Sequence, residues 1–327
     1  PGHPALHLPK EIRQYLTRDP NAMEYISLGR TGLNVSVAGL GAGGHSRLGL
    51  SSGHSTEQAT DVVRTAIDEG VNLIDTARVY RTESVIGTAI KGRARDSLVL
   101  CTKVPVRRKG ELIEPESIRS EVDASLRELG TDRIDVLYLH GVLIEDYAFA
   151  AARCLPVLEK LKQSGKIRFT GITEFFSGDT THRMLSRATC DPDWDVIMVG
   201  FNLLNPSARK TVLLQAMKRE IGTTVMFAVR RALSRPEALR ETLDRLVAAG
   251  HDDLADLDRE DPLGFLIRPD GAESLTDAAY RFARHEPGMN CVLFGTGSPE
   301  HVRQNVASIT RPPLPEKDLA RLKLLFG

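Results

Sequence analysis

Four polar residues of complementary chemistry stand at or just beyond the ends of apolar segments. Asp75 ends the segment VNLID, and Tyr80 follows five residues later. Lys103 ends LVLCTK, and His140 ends IDVLYLH. If these segments are parallel strands of one sheet, then a carboxylate, a phenol, an amine and an imidazole meet at one edge of that sheet.

These four groups suit proton delivery to an oxygen. A free tyrosine has a pKa near 10 and is a poor acid at neutral pH, whereas a neighbouring ammonium favours the phenolate and lowers that pKa. A carboxylate such as that of Asp75 keeps the Lys103 amine charged and oriented, and a neutral His140 can hold a carbonyl oxygen by a hydrogen bond. The set therefore predicts protonation by Tyr80 of an oxygen that becomes an alkoxide.

The C-terminal part of the chain suggests a phosphate-bearing ligand. The segment LFGTGSPEHVRQN is typical of a strand, a loop and a helix that starts after Ser298. Gly295 and Gly297 allow close backbone approach to a ligand, and helix N-termini bind phosphate. Arg230 and Arg231 follow the preceding apolar segment, and loops after the last two strands of a barrel often hold phosphate. We therefore expect these arginines to contact cofactor phosphate or to cap the loop.

The elements that must position these residues follow one rhythm of apolar run, polar loop and helical pattern. Eight runs are candidate strands: Val35–Leu40, Val71–Asp75, Leu98–Val104, Ile134–His140, Ile167–Ile172, Val196–Phe201, Thr223–Val229 and Asn290–Phe294. Runs this apolar are typical of strands that are covered on both faces, as in a parallel sheet. Alternation of eight such strands with helices predicts an α/β fold of the (β/α)8 TIM-barrel type.

An open doubly wound sheet is the competing architecture. It usually carries a G-x-G-x-x-G turn after its first strand, and the glycine-rich segment at residues 39–44 has a different spacing. The gap before the last strand is about twice the usual length, so we expect an inserted excursion within residues 235–275. Residues 1–23 are interpreted as an N-terminal extension and residues 24–327 as a single barrel domain.

Composition restricts the partners of the protein. The chain of 327 residues has 43 Lys+Arg and 43 Asp+Glu, and this zero net charge argues against a broad surface for nucleic acid or membrane. The four cysteines lie far apart, which indicates a reducing, cytoplasmic compartment and neither a zinc site nor a disulfide framework. No histidine pattern predicts a metal site. The expected partner is a small molecule, and nothing in the sequence indicates an oligomeric state.

Six segments in order resemble the successive signatures of the aldo-keto reductase family. They are GRTGLNVSVAGLGAGG, GVNLIDTARVY, VLCTKV, DVLYLHG, GKIRFTGIT and VLFGTGSPEHVRQN. The resemblance runs from about residue 24 to the C-terminus, and it implies a barrel that uses NADPH, less often NADH, to reduce aldehydes and ketones. It further implies that Tyr80 is the general acid, that Lys103 modulates its pKa, that Asp75 partners Lys103, and that His140 orients the carbonyl.

The sequence departs from the family pattern on the cofactor side. Thr173-Glu174 replaces the usual Ser-Asn that holds the nicotinamide carboxamide, and Met198 replaces a glutamine. Ala228 aligns with the aromatic residue that stacks on the nicotinamide, although Phe227 is adjacent. Together, the residues expected at the cofactor are Gly41, Ala42, Gly43, Asp75, Thr173, Glu174, Met198, Phe227, Ala228, Val229, Arg230, Arg231, Gly295, Thr296, Gly297, His301, Gln304 and Asn305.

The leading hypothesis is an NAD(P)H-dependent oxidoreductase that reduces aldehyde or ketone carbonyls to alcohols. One alternative is a regulatory or redox-sensing subunit that binds the cofactor on the same fold with little turnover, and the altered carboxamide contacts are its support. Another alternative is a barrel isomerase or dehydratase that uses the basic loop at residues 230–231 for a substrate phosphate.

Overall fold

Eight parallel strands close into a barrel in this computed structural model, which describes residues 22–327. The barrel strands are β3 (Ala38–Gly41), β4 (Leu73–Asp75), β5 (Val99–Pro105), β8 (Ile134–Val142), β9 (Ile167–Glu174), β10 (Val196–Gly200), β11 (Gly222–Met226) and β12 (Cys291–Phe294). Neighbours in the barrel follow chain order, and β12 closes the ring by pairing with β3. The predicted (β/α)8 architecture is therefore confirmed.

Helices surround the barrel. They are α1 (Thr56–Asp68), α2 (Glu83–Ile90), α3 (Ser117–Leu129), α4 (Leu155–Gln163), α5 (Arg183–Ala188), α6 (Leu214–Lys218), α7 (Arg231–Ser234), α8 (Pro236–Ala248), α9 (Leu275–Arg284), α10 (Pro299–Thr310) and α11 (Glu316–Phe326). The turn Tyr147–Phe149 and the π-helical segment Ala150–Cys154 lead directly into α4, and the π-helical segment Arg209–Leu213 leads into α6.

Helix α1 shows why these segments become helices. The Ser55 hydroxyl accepts a hydrogen bond from the Gln58 backbone N–H, and the Gln58 side chain accepts one from the Ser55 N–H, which satisfies two donors at the helix start. Its residues Ala59, Val62 and Ala66 are fully buried against the barrel. Their spacing of three and four places them on one face, so the helix covers the outside of the sheet.

Two apolar cores result from the alternation of side chains along each strand. The larger core lies between strands and helices. The smaller one joins inward-facing residues of the strands, such as Leu73, Val136 and Met198, with Leu28 and Val35 from the N-terminal segment. The barrel is therefore filled with side chains, which include a buried hydrogen bond of 3.2 Å between the Tyr138 and Thr224 hydroxyls.

The first predicted strand is wrong as a single element. Residues 34–36 form β2 (Asn34–Ser36), which pairs antiparallel with β1 (Tyr25–Ser27), and the barrel strand begins only at Ala38. Val37 separates the two strands. At the end of β2, the Ser36 hydroxyl donates to the Ala38 carbonyl at 2.7 Å, and the Ser36 N–H donates to the Asn72 side chain at 2.7 Å. The side chain of Leu28, in the turn of this hairpin, packs against Gly222 at the start of β11.

The long excursion before the last strand is present. It comprises α7 and α8 together with short turns at Asp252–Leu254 and Gly264–Leu266, and α9 then returns the chain to the barrel. A second, smaller hairpin of β6 (Arg107–Arg108) and β7 (Glu111–Leu112) extends the loop after β5.

The seventh barrel strand is shorter than predicted. It ends at Met226, because Phe227 has a φ of +66° and leaves the extended conformation. The predicted N-terminal extension lies outside the described residues up to position 21. Between residues 22 and 327, every helix is too short or too polar to cross a lipid bilayer.

Candidate active site

A buried ion pair lies at the C-terminal ends of β4 and β5. The Lys103 Nζ is 2.7 and 2.5 Å from the two carboxylate oxygens of Asp75, and it also donates to the Thr76 carbonyl at 2.9 Å. Lys103 is 1% exposed and Asp75 is 4% exposed. Burial disfavours the ammonium, but the Asp75 carboxylate outweighs this effect and raises the pKa of Lys103. The lysine is therefore held charged and fixed.

Tyr80 is carried on a short turn, Arg78–Tyr80, directly after β4. Its hydroxyl lies 3.2 Å from the His140 Nε2, and the Lys103 Nζ lies 5.1 Å from the centre of its ring. The ring packs so closely on Gly43 that any side chain at position 43 would collide with it. The structure thus brings all four predicted catalytic residues together at one rim of the barrel.

His140 is neutral at physiological pH. Burial, assisted by the Lys103 ammonium, lowers the pKa of His140 from 6.5 to about 3. The Tyr80 and His140 rings meet edge to face, with centroids 5.7 Å apart. A neutral imidazole next to the phenol can share a hydrogen bond with an incoming carbonyl oxygen without adding positive charge.

The expected lowering of the Tyr80 pKa needs a correction. Burial raises the pKa of Tyr80 above its usual value, and the charge of Lys103 acts in the opposite direction without overcoming it. The expected pKa took account of the Lys103 charge but not of burial, which removes water from the phenol and disfavours the phenolate. The phenol is therefore protonated at neutral pH, which is the state that a proton donor requires.

A second charged network fixes the turn that carries Tyr80, and the sequence reasoning missed it. Arg78 contacts the carboxylate of Glu83 at 3.1 Å and that of Glu121 at 2.9 Å. Glu83 is fully buried and accepts a hydrogen bond from the Thr102 hydroxyl at 2.7 Å. Because Thr102 precedes Lys103, this network ties the two sides of the site together. The available signal was a glutamate three residues after Tyr80, at the start of α2.

The residues expected to contact the nicotinamide carboxamide have side chains on two different faces of the barrel sheet. Met198 and Thr173 are buried and lie opposite each other in the β9–β10 register, and the Thr173 hydroxyl accepts from the Gly141 N–H at 2.7 Å. Glu174 faces the other side of β9. Its carboxylate contacts the His182 Nδ1 at 2.9 and 3.0 Å and accepts from the Gly200 N–H at 2.7 Å. These internal partners occupy Glu174, so its expected role as a carboxamide contact is corrected to an internal brace.

The loop after β11 presents an arginine on an aromatic platform. The guanidinium of Arg230 lies 4.3 Å from the centre of the Phe227 ring and 5.7 Å from that of Phe176. The guanidinium also donates a hydrogen bond to the Ser177 hydroxyl at 3.5 Å. No carboxylate among the described side chains of residues 22–327 pairs with it. Burial lowers the pKa of Arg230. A partly desolvated cation without an acidic partner is suited to binding an anion.

A cavity of about 630 Å³ opens beside Arg230. The loops after β9, β10 and β11 and one face of α8 surround it, with Phe176, Asn202 and Leu233 among the lining residues. Ala228 is buried in the outer core, and Val229 is partly buried there. Neither side chain is aromatic, so neither can stack on a nicotinamide ring. The side chain of Arg231 lies outside the described residues.

The C-terminal ends of β3 and β12 are rich in glycine and form a part of the barrel rim that we call the glycine-rich approach. Gly41 and Gly295 lie next to each other, and a side chain at Gly297 would collide with the backbone of Gly49. Ala42 and Thr296 are buried.

Helix α10 follows this approach, and the Ser298 hydroxyl caps its start by accepting from the His301 N–H at 3.5 Å. His301 and Gln304 are exposed, Asn305 is partly buried, and Gln304 donates to Glu300 at 3.3 Å. In the described part of the chain, no three His, Cys, Asp or Glu side chains are grouped as a metal site.

This arrangement agrees with comparisons with known proteins. The sequence profile described as the "Aldo/keto reductase family" matches residues 39–325. The chain belongs to this family. Its fold and the order of its motifs are those that the resemblance implied.

Three relatives illustrate the similarity. The L-galactose dehydrogenase of Arabidopsis thaliana is 35% identical over 157 residues, which are 46% of this chain and 48% of that protein. The NADH-specific methylglyoxal reductase of Escherichia coli (strain K12) is 27% identical over 313 residues, which are 88% of this chain and 94% of that protein. A crystal structure of an aldo/keto reductase from Klebsiella pneumoniae in complex with NADP and acetate has a TM-score of 0.67 and 23% identity, and it covers 93% of this chain and 95% of that one.

Proposed function

We propose that this protein is an NAD(P)H-dependent reductase of aldehyde or ketone carbonyls and that Tyr80 is its proton donor. One observation carries the proposal. The Tyr80 hydroxyl lies 3.2 Å from a neutral His140, beside the buried Lys103–Asp75 pair. A carbonyl oxygen placed between the phenol and the imidazole meets two groups that can donate hydrogen bonds to it.

Each of the four residues has a separate role in the proposed reaction. His140 orients the carbonyl oxygen, and Tyr80 transfers its proton to that oxygen as negative charge develops there. The Lys103 ammonium stabilises the phenolate that remains, and Asp75 keeps the ammonium in place. When bound, a reduced nicotinamide supplies the hydride that goes to the carbonyl carbon.

The rim residues fit a dinucleotide. Thr173, which binds the N–H of Gly141 next to His140, and Met198 face the barrel interior, and Arg230 offers an unpaired cation for a phosphate. The start of α10, which follows the glycine-rich ends of β3 and β12, offers backbone N–H groups for a second phosphate. The relative solved in complex with NADP and the NADH-specific relative support both cofactors, and Arg230 favours neither of them.

The test measures cofactor binding and turnover separately. Titration with NADPH and with NADH, followed by fluorescence quenching, gives the two affinities, and loss of the reduced nicotinamide absorbance with a panel of aldehydes gives the rate. We expect binding of at least one cofactor and measurable reduction of an aromatic aldehyde. Tight binding without turnover would support the regulatory alternative, and absence of binding would support the isomerase or dehydratase alternative.

A further inference from the structure

Two arginines beside Tyr80 lack a carboxylate partner within residues 22–327. We propose that Arg47, assisted by Arg81, binds an anionic group of the carbonyl substrate, either a carboxylate or a phosphate. The inference rests on the proposed function, because it concerns the substrate of the same site.

Arg47 is attached directly to the residue that donates the proton. Its Nε donates to the Tyr80 backbone carbonyl at 2.7 Å, and its backbone N–H donates to the Gly43 carbonyl at 3.3 Å. The side chain is half-buried. Its two terminal nitrogens donate to no acceptor in the described part of the chain. With Nε occupied, this free end of the guanidinium can hold both oxygens of a carboxylate or two oxygens of a phosphate.

The backbone keeps both arginines in an uncommon conformation. Arg47 has a φ of +45°, Leu48 a φ of +61° and Arg81 a φ of +56°, a region that residues other than glycine rarely adopt. Leu48 is fully buried, and the Arg81 N–H donates to the Arg78 carbonyl at 3.1 Å. The surrounding contacts therefore hold both strained segments in place. Strain of this kind concentrates at functional sites.

Carboxylates near the site have basic partners other than Arg47 and Arg81. Asp75 pairs with Lys103 and Asp146 with Arg107, and Arg78 is shared by Glu83, Glu121 and Glu128. The exposed Glu145 lies in the field of Arg107. In the described part of the chain, Arg47 and Arg81 belong to none of these ion pairs, so their positive charge is available to attract an anionic substrate.

The position of Arg47 sets the length of the substrate. Arg47 contacts the backbone of Tyr80, whereas the reaction takes place at the hydroxyl, which is the opposite end of the side chain. Because the Arg47 guanidinium is bonded to the backbone end of Tyr80, we expect the anionic group and the carbonyl of the substrate to be separated by about the length of a tyrosine side chain. An aromatic aldehyde with a para carboxylate meets this requirement, and a 2-oxo acid, whose carboxylate adjoins the carbonyl, is too short.

The experiment compares aldehydes that differ only in charge or in its position. The probes are para-carboxybenzaldehyde, its neutral methyl ester, ortho-carboxybenzaldehyde and para-formylphenyl phosphate. We expect kcat/KM for the para carboxylate, the para phosphate or both to exceed that for the ester by roughly tenfold or more, since hydrogen bonds to charged groups are the strong ones. The ortho acid should show no such preference, and added salt should reduce the preference of the para acid.

Variants separate recognition of the anion from positioning of Tyr80. Arg47→Gln should lower kcat/KM for the charged aldehyde far more than kcat/KM for the ester and so remove most of the preference, whereas Arg47→Lys should retain part of the preference. Arg81→Gln should have a smaller effect of the same kind. Arg127→Gln is the matched control, since Arg127 is an exposed arginine in the last turn of α3.

Two results would overturn the inference and leave the proposed function intact. One is equal reduction of the ester and both para anions by the unaltered protein, and the other is an equal loss on all probes in Arg47→Gln. Failure to reduce any of the aldehydes would contradict the proposed function, and the inference with it.

Discussion

The buried Asp75–Lys103 pair and the Arg230 loop after β11, at two sides of the barrel rim, differ in how completely their charges are paired. On the side of β4, β5 and β8, Asp75 and Lys103 form a closed pair. On the side of β9, β10 and β11, Arg230 lies over aromatic rings without an acidic partner, and Phe227 has a strained backbone.

The difference separates groups that act on the reacting atoms from groups that hold a ligand. Proton transfer requires fixed donors, and internal ion pairs and tight packing provide this fixation before any ligand arrives. A side chain that binds an anion, in contrast, needs a positive charge that no carboxylate of the protein neutralises. The predictions that follow test each half of this division.

The largest effect is expected for Lys103→Met. Removing the ammonium should lower kcat by about a hundredfold or more, because the phenolate formed by proton transfer loses its stabilising charge. It should also lower the free energy of unfolding by roughly 3–5 kcal/mol, because Asp75 remains buried without a partner. Steady-state kinetics and urea unfolding measure the two effects.

The double variant Asp75→Asn with Lys103→Met is the control for this prediction. We expect it to recover much of the lost stability, because no unpaired charge remains buried, and to stay as inactive as the single variant. Equal stability of the single and double variants would contradict the view that this half of the rim depends on its internal pair.

The next effect is a pH dependence that His140 causes. The unfolded chain binds a proton at this histidine below about pH 6.5, whereas the folded protein binds one only near pH 3. The free energy of unfolding is therefore unaffected by His140 above pH 6.5, and it decreases as the pH falls from 6.5 towards 3. Between pH 7 and pH 5 the loss is about 2 kcal/mol.

Replacement of the histidine should remove this contribution. Urea unfolding of His140→Gln at the two pH values should show a smaller acid loss than the unaltered protein. His251→Gln, which changes an exposed histidine of the excursion, should keep the full loss. An identical acid dependence in His140→Gln would show that the imidazole is not held neutral by burial.

The smallest of these effects concerns the other half of the rim. Arg230→Gln should raise the Kd for NADPH by about tenfold and leave kcat at saturating cofactor unchanged, because the phosphate that we propose as its ligand is remote from the reacting atoms. Fluorescence titration measures the Kd, and Arg153→Gln, at an exposed position, is the control. An unaltered Kd would mean that the unpaired cation serves another anion.

The sequence was most informative where chemistry coincides with the ends of regular elements. Asp75, Lys103 and His140 each end an apolar run, and parallel strands necessarily bring such ends to one rim. The barrel itself follows from eight such runs. Tyr80 was found because it follows the second of these strands closely within the family signature.

The sequence was less informative where side chains choose between local partners. Glu174 follows Thr173 in β9 and points to the other face, where His182 and the Gly200 N–H bind its carboxylate. The sequence pattern does not show these partners. The first predicted strand is split at Val37, and the early end of β11 depends on the φ of Phe227. Neither follows from an apolar pattern. The pKa of Tyr80 depends on burial, which only the folded structure defines.

Kinetics and cofactor binding of Tyr80→Phe test the central claim most directly. The substitution removes the hydroxyl that lies next to His140 and keeps the ring that packs on Gly43. We predict that kcat for aldehyde reduction falls by roughly a hundredfold or more while the Kd for NADPH stays within about twofold, and that Tyr25→Phe leaves both unchanged. Reduction by Tyr80→Phe at the rate of the unaltered protein would contradict the assignment of this phenol as the proton donor.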